Sequence, residues 1–104
     1  DAKLEWRYIV PPVNNDPAMA ALIQGAAKKV MGPDCLFAYD KTNGGEDFAY
    51  FMEKVPGAVA FLGIRNEACG AVWTNHSGHF CVDESALING VKLFVQTAMD
   101  FNAQ

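Results

Sequence analysis

Both histidines of this chain lie in one loop, Thr74-Asn75-His76-Ser77-Gly78-His79-Phe80. A histidine in a loop that follows a strand can be aimed into a cleft, where imidazole serves as a metal ligand or an acid–base group. An ordinary exposed or hydrogen-bonded histidine is the alternative, which the residue types leave open. We therefore treat His76 as the candidate metal ligand, and His79 as a residue that could simply orient the loop.

The second candidate group is the segment Gly44-Gly45-Glu46-Asp47. Glycines let a ligand approach the backbone closely, and the two acids fit a substrate amide or amine, or a hydrogen bond that orients a metal-bound histidine. Two carboxylates would repel a phosphate, so a nucleotide site is disfavoured. The alternative is structural, because acids in the first turn stabilise a helix by roughly 0.3–1 kcal/mol each.

A rival constellation is a structural zinc site made of the two histidines with Cys69 and Cys81. Its spacing lacks the paired Cys-x-x-Cys knuckle of structural zinc modules, which disfavours it. The sequence also lacks a Gly-x-Ser-x-Gly elbow, a Walker loop and a His-Glu-x-x-His motif. We assign no catalytic residue within the chain.

Composition excludes several partner classes. The 104 residues are 51% hydrophobic and suit one small domain with a net charge of −4, which disfavours nucleic acid and anionic membranes as partners. No apolar run approaches the roughly 20 residues that span a bilayer. Three widely spaced cysteines fit a reducing compartment, so we expect a cytoplasmic protein. The chain begins at Asp1 in a strand-like pattern, which predicts a fragment of a larger protein.

The apolar periodicity predicts strands alternating with helices, and therefore an α/β layered fold. The predicted strands are residues 3–10, 35–39, 58–64 and 71–73, and the predicted helices are 17–31, 46–54 and a last one capped by Asp83. The uninterrupted apolar run 58–64 is typical of an interior strand that is covered on both faces. In the last helix we expect one stripe to be buried: Leu87, Val91, Phe94, Val95 and Ala98.

A series of short motifs runs along the chain from residue 44 onward: Gly44-Gly45-Glu46-Asp47-Phe48-Ala49-Tyr50, Val55-Pro56-Gly57-Ala58, Phe61-Leu62-Gly63, and His76-Ser77-Gly78-His79-Phe80 followed by Val82-Asp83-Glu84-Ser85-Ala86-Leu87. These motifs resemble the C-terminal part of the dinuclear-metal amidohydrolases and peptidases, a family that includes N-acyl-amino-acid amidohydrolases, hippurate hydrolases and auxin-conjugate hydrolases. Leu4-Glu5-Trp6-Arg7-Tyr8 and Pro12-Val13-Asn14-Asn15-Asp16-Pro17 resemble the return from the family's lid domain to its catalytic domain. The chain departs from the family at Gly78, where proline is usual, and at His79, where the residue varies.

The resemblance implies a role for each part of the chain. His76 corresponds to the family's C-terminal metal-ligand histidine, and residues 44–47 to a wall of the substrate pocket. Residues 1–12 correspond to the last strand of the lid or dimerisation domain and to its hinge. Asn14 and its neighbours also belong to this hinge. Residues 13–104 correspond to the C-terminal part of a layered α/β metallo-hydrolase catalytic domain. The other metal ligands and the general-base glutamate lie earlier in the family's sequence.

We therefore expect the C-terminal part of an amidohydrolase that cleaves N-acyl amino acids or short peptides with a metal-activated water. The resemblance implies two divalent ions, zinc, manganese or cobalt, in each full-length site. Its partners would be a small amide substrate, the rest of the parent chain and, in full-length form, further copies. The segment alone should be inactive and bind no metal, or only an adventitious ion. We expect His76 to lie near the 44–47 turn with its imidazole partly exposed, and Leu4, Trp6 and Tyr8 to be exposed, disordered or packed on another copy. The alternative is a small non-catalytic binding domain whose histidine loop merely caps a helix.

Overall fold

The computed structural model describes residues 1–103. Within them, three α-helices form, α1 (Pro17–Met31), α2 (Ala49–Met52) and α3 (Leu87–Asn102). Two 3-10 turns, Glu67–Cys69 and Glu84–Ala86, precede the histidine loop and α3 respectively. None of the helices in this part of the chain is long and apolar enough to cross a membrane.

Helix α1 begins and ends where the local sequence predicts. The Asp16 Oδ1 atom accepts hydrogen bonds of 2.9 Å from the backbone N–H groups of Ala18 and Met19, and Pro17 occupies the first helical position. Both features satisfy or remove donors that a helix N-terminus leaves unpaired. Gly32, at φ 97°, takes the left-handed conformation that commonly follows a helix.

The last helical segment also begins at its predicted cap. The Asp83 Oδ1 atom accepts a 3.0 Å hydrogen bond from the backbone N–H of Ser85. One 3-10 turn follows, and α3 then runs for 16 residues. The middle helix is shorter than expected. The sequence predicts a helix over residues 46–54, and only Ala49–Met52 is α-helical.

None of the four predicted strands forms in residues 1–103, where the only β-pairing is an isolated antiparallel bridge between Asn66 and Ala71. Layering of helices on a sheet is therefore not confirmed for this chain, nor is the N-terminal strand. The physical reason is that a strand exists only when a neighbour pairs with its backbone N–H and C=O groups. A period-2 or apolar pattern indicates which faces would be covered, but it does not supply the neighbour.

Burial departs from the sequence expectation in α3. The predicted buried stripe is exposed, with Phe94 at 81%, Val91 at 57% and Leu87 at 49% exposure. The half-buried side of α3 consists instead of Gly90, Leu93, Gln96, Thr97 and Asp100, together with Asn89. Helical periodicity identifies an apolar face correctly, but burial of that face requires a surface opposite it.

Exposure of the N-terminal segment agrees with the expectation. Leu4, Trp6 and Tyr8 are 87%, 84% and 64% exposed, so their apolar surface lies open. The buried apolar residues of the described chain are small: Ala26, Ala27, Ala49 and Ala71, together with Pro11.

The chain divides into two compact units. The first comprises Asp1–Ala21 and Phe37–Val59, and the second comprises Leu22–Leu36 and the described residues from Ala60 onward. In the first, the Tyr50 hydroxyl donates a 2.6 Å hydrogen bond to the Ile9 carbonyl. In the second, Lys29 Nζ of α1 lies 2.7 Å from Asp100 Oδ1 of α3. The predicted boundary between residues 1–12 and 13–104 stays a prediction.

Candidate functional site

The histidine loop is a series of local turns with His76 in its middle. The Ser77 N–H donates to the Thr74 carbonyl at 3.3 Å, and the Phe80 N–H donates to the Ser77 carbonyl at 3.1 Å. The Ser77 hydroxyl also accepts a 3.2 Å hydrogen bond from the His79 N–H. Ser77 thus organises the loop from both its backbone and its side chain.

His76 is the one non-glycine residue with a positive φ, 69°, in the part of the chain that the structure describes. Most side chains disfavour this left-handed conformation, although histidine, asparagine and aspartate are enriched in it. The residue is exposed, and its imidazole has no hydrogen-bond partner among residues 1–103. Both ring nitrogens are therefore available to a ligand.

The second histidine is engaged differently. The His79 ring lies against the Trp73 ring, with centroids 5.4 Å apart and planes tilted by 41°. This separation falls within the range of favourable aromatic pairs. The contact joins the residue before the loop to a residue near its end.

The Gly44–Asp47 segment shows structural uses for three of its four residues. The Gly44 N–H donates a 3.1 Å hydrogen bond to the Thr42 hydroxyl. The Glu46 Oε1 atom accepts a 3.1 Å hydrogen bond from the Phe48 N–H, so this carboxylate caps the turn that leads into α2. A Cβ atom at Gly45 would lie 3.1 Å from Val10 Cγ2, so glycine permits the close approach of this side chain. Asp47 is exposed, and no hydrogen bond or ion pair involves its side chain within residues 1–103.

His76 and residues 44–47 belong to different compact units. The expected proximity of His76 to the 44–47 turn therefore stays a prediction. So do the roles of His76 as a metal ligand and of Gly44, Gly45, Glu46 and Asp47 as substrate contacts.

The four residues of the rival zinc constellation do not form a metal site. Across the described chain, no three His, Cys, Asp or Glu side chains are grouped so that they could hold a metal ion. The Cys81 thiol instead lies 3.3 Å from the Gly70 carbonyl, and the Cys69 thiol lies 3.6 Å from the Asn66 carbonyl. The residues present therefore do not fit a complete metal centre, and His76 can supply one ligand at most.

Asp83 anchors the segment that follows the histidine loop. The Ser85 hydroxyl, the Asn66 side-chain amide and the Ser85 N–H all donate to its carboxylate, which lowers the pKa of Asp83 below its usual value of 3.8. The Asn66 contact measures 2.8 Å, and the Asp83 N–H donates to the Ile64 carbonyl at 3.1 Å. The segment between the loop and α3 is thereby fastened to residues 64–66.

The first unit contains an open pocket of about 400 Å³ lined by residues 14–17 and 52–57. Sequence reasoning marked Asn14 there as a hinge but missed the role of Asn15. The Asn15 side chain holds the Val59 backbone through two 2.9 Å hydrogen bonds. The available signal was the turn-rich run Asn14-Asn15-Asp16-Pro17, which indicates a turn but not its distant partner.

Comparison with known proteins places nearly the whole chain in one family. The family model described as "Peptidase family M20/M25/M40" matches residues 1–100. The IAA-amino acid hydrolase ILR1-like 6 of Arabidopsis thaliana is 34% identical over 86% of this chain and 19% of its own length. The N-acetyl-L-cysteine deacetylase of Bacillus subtilis is 33% identical over 93% of this chain and 22% of its own length.

A third relative carries a different kind of name. The "Putative glutamate--cysteine ligase 2-3" of Rhodococcus jostii is 44% identical over 91% of this chain. The match covers 12% of that protein, so its name cannot be assigned to the matched segment. The chain thus spans 12% to 22% of the length of these three relatives, and no solved structure gives a significant match. Because the family model extends over residues 1–100, the chain belongs to the peptidase family M20/M25/M40.

Proposed function

We propose that this chain is the C-terminal part of a metal-dependent amidohydrolase that acts on N-acyl amino acids or short peptides. The observation that carries the proposal is the state of His76. Its imidazole is exposed and has no described partner, and its backbone forms a left-handed turn. The chain that presents this imidazole belongs to the peptidase family named above. Two relatives are named for such substrates, an IAA–amino acid conjugate and N-acetyl-L-cysteine. The acyl group and amino acid that this protein prefers follow from neither name.

His76 would supply one ligand to a divalent ion, zinc, manganese or cobalt, with two ions in each full-length site. Bound metal in such enzymes polarises the substrate carbonyl and activates water. A catalytic centre needs several protein ligands, so the remaining ligands and the general base would come from the rest of the parent chain. The segment alone would therefore be inactive.

Gly44–Asp47 would form a wall of the substrate pocket. Within this segment we assign direct substrate contact first to Asp47, since its carboxylate has no described partner. The Glu46 carboxylate already caps a turn, and Gly45 accommodates Val10. Gly44 remains a candidate for close backbone approach by a ligand.

The exposed apolar surface supports a larger parent protein. The apolar side of α3 and the residues Leu4 and Trp6 lie open, whereas surfaces of this kind are normally covered by a partner or by more of the chain. We propose that the rest of the parent chain covers these apolar surfaces, together with further copies of the chain in a homo-oligomer. We place this parent protein in the cytoplasm. The alternative of a binding domain whose histidine loop caps a helix has less support, because Asp83 caps the last helical segment instead.

The test is a pair of substitutions at His76 in the full-length parent enzyme. His76→Ala removes the imidazole but also strains the left-handed backbone, whereas His76→Asn removes it while tolerating that conformation. Both should lower metal-dependent amide hydrolysis by at least about 100-fold, the upper range for loss of outer-shell partners alone. Circular dichroism should show an unchanged fold.

The matched control is Asn75→Ala, an exposed neighbour in the same loop, which should stay within a few-fold of the wild type. A folded His76→Asn enzyme that keeps wild-type activity would end the proposal.

A further inference from the structure

The loop that carries His76 is weakly held by its own backbone. Its hydrogen bonds are short-range turns centred on Ser77, and most of its residues are exposed. Gly78 adds freedom to the backbone, because glycine has no Cβ atom to restrict its φ and ψ angles. Short exposed turns of this kind interconvert readily unless another contact fixes them.

The Trp73–His79 ring pair is such a contact. Its partners flank residues 74–78, and their centroids are 5.4 Å apart. The ring contact holds the two ends of residues 74–78 together through side chains, whereas the turns around Ser77 are held by backbone hydrogen bonds. Each ring is exposed, so the pair can be altered without disturbing a core.

We propose that Trp73 and His79 are positioning residues, a ring clamp that fixes the 74–78 loop and with it the left-handed turn at His76. His79 acts through its flat ring and not through its charge or its nitrogen atoms. The value of a fixed His76 imidazole rests on the function proposed above, but the clamp itself is a property of the loop.

The test measures solvent exchange of the Ser77 and Phe80 amide protons by NMR in the isotope-labelled chain without added metal. His79→Ala and Trp73→Ala should each speed this exchange by roughly 2- to 10-fold, the range that one aromatic pair can supply. His79→Phe keeps a flat ring and should restore the wild-type rates. Phe94→Ala removes an exposed aromatic residue of α3 outside this ring pair and should change nothing in the loop.

A double variant tests the mechanism from the other direction. Gly78 has a negative φ and open space around its Cβ position, so alanine fits there and stiffens the chain. Adding Gly78→Ala to His79→Ala should therefore recover part of the lost protection.

The amide of Ala26 in α1 serves as the internal reference, since this residue is fully buried. Faster exchange at Ala26 by the same factor as in the loop would overturn the clamp, as would unchanged loop rates in His79→Ala or alanine-like rates in His79→Phe. Because these measurements need neither metal nor substrate, failure of the clamp is distinct from failure of the proposed function, which the His76→Asn assay detects.

Discussion

The side-chain amide of Asn15 pairs with the backbone of Val59 like one rung of a β-ladder. Its Nδ2 atom donates to the Val59 carbonyl at 2.9 Å, and its Oδ1 atom accepts from the Val59 N–H at 2.9 Å. The Asp16 N–H adds a 2.9 Å hydrogen bond to the Gly57 carbonyl. The start of α1 is thus fixed to the segment after Pro56, directly beside the hinge expected at Asn14.

We predict that Asn15→Ala destabilises the chain by about 1–3 kcal/mol, since each lost hydrogen bond contributes roughly 0.5–1.5 kcal/mol. Asn15→Asp keeps the acceptor for the Val59 N–H and loses the donor, so it should fall between Asn15→Ala and the wild type. Urea denaturation measures the free energy of unfolding. Asn14→Ala is the control, and equal effects at the two positions would contradict the pairing.

The Asp83 cap makes stability depend on pH. The Ser85 hydroxyl is the largest cause of its lowered pKa, followed by the Asn66 amide and the Ser85 N–H. A carboxylate with a lowered folded pKa stabilises the fold above its unfolded value of 3.8, and this contribution is lost as the pH falls through the folded pKa. Ser85→Ala should raise the pKa of Asp83, which an NMR titration of the carboxyl carbon measures. An unchanged titration in Ser85→Ala would refute this account.

The Lys29–Asp100 pair links α1 to α3 within the second unit. The hydrogen bond from Lys29 lowers the pKa of Asp100, with a smaller contribution from the Gln96 amide, so its stabilisation is also lost on acidification below 3.8. Lys29→Met should raise the pKa of Asp100 and destabilise the chain at neutral pH, because the half-buried carboxylate loses its cation. Lys28→Met is the matched control on an exposed residue of the same turn, and a shift of similar size there would argue against the pair.

The apolar side of α3 gives a prediction that compares two lengths of protein. Phe94 is 81% exposed here, so Phe94→Ala should change the stability of this chain by less than about 0.5 kcal/mol. In the full-length parent, where we propose that this face is covered, the same change should cost about 3–5 kcal/mol. Thermal or chemical denaturation of both proteins measures the change in the free energy of unfolding caused by Phe94→Ala. Similar small changes in both proteins would show that the apolar side of α3 stays exposed in the parent protein.

Local signals in the sequence were sufficient for the caps of α1 and of the last helical segment, but not for α2, which begins at Ala49 and not at the predicted residue 46. The sequence predicts Asp16 before Pro17, and Asp83, as caps, and both accept hydrogen bonds from backbone N–H groups at most three positions away. Glu46 lies before the first turn of α2 and not within it, and its carboxylate accepts a hydrogen bond from the Phe48 N–H in the preceding turn.

Non-local features could not be read in the same way. A strand at 58–64 requires a neighbouring strand, and the described chain provides none, so the apolar run forms no ladder. Similarly, the Asn15–Val59 pairing joins residues 44 positions apart, and no spacing rule connects them. The ring contact between Trp73 and His79 lies at an intermediate range, where residue types allow a contact but do not require it.

The backbone at residue 76 also restricts which amino acids this position can accept. A φ of 69° favours glycine, asparagine, aspartate and histidine, whatever the position does for a ligand. Divalent metals in hydrolytic sites are bound through imidazole, carboxylate and thiolate groups. Only histidine and aspartate belong to both sets, so a replacement screen at this single position should return aspartate as the one substitution that satisfies both the turn and a metal ion.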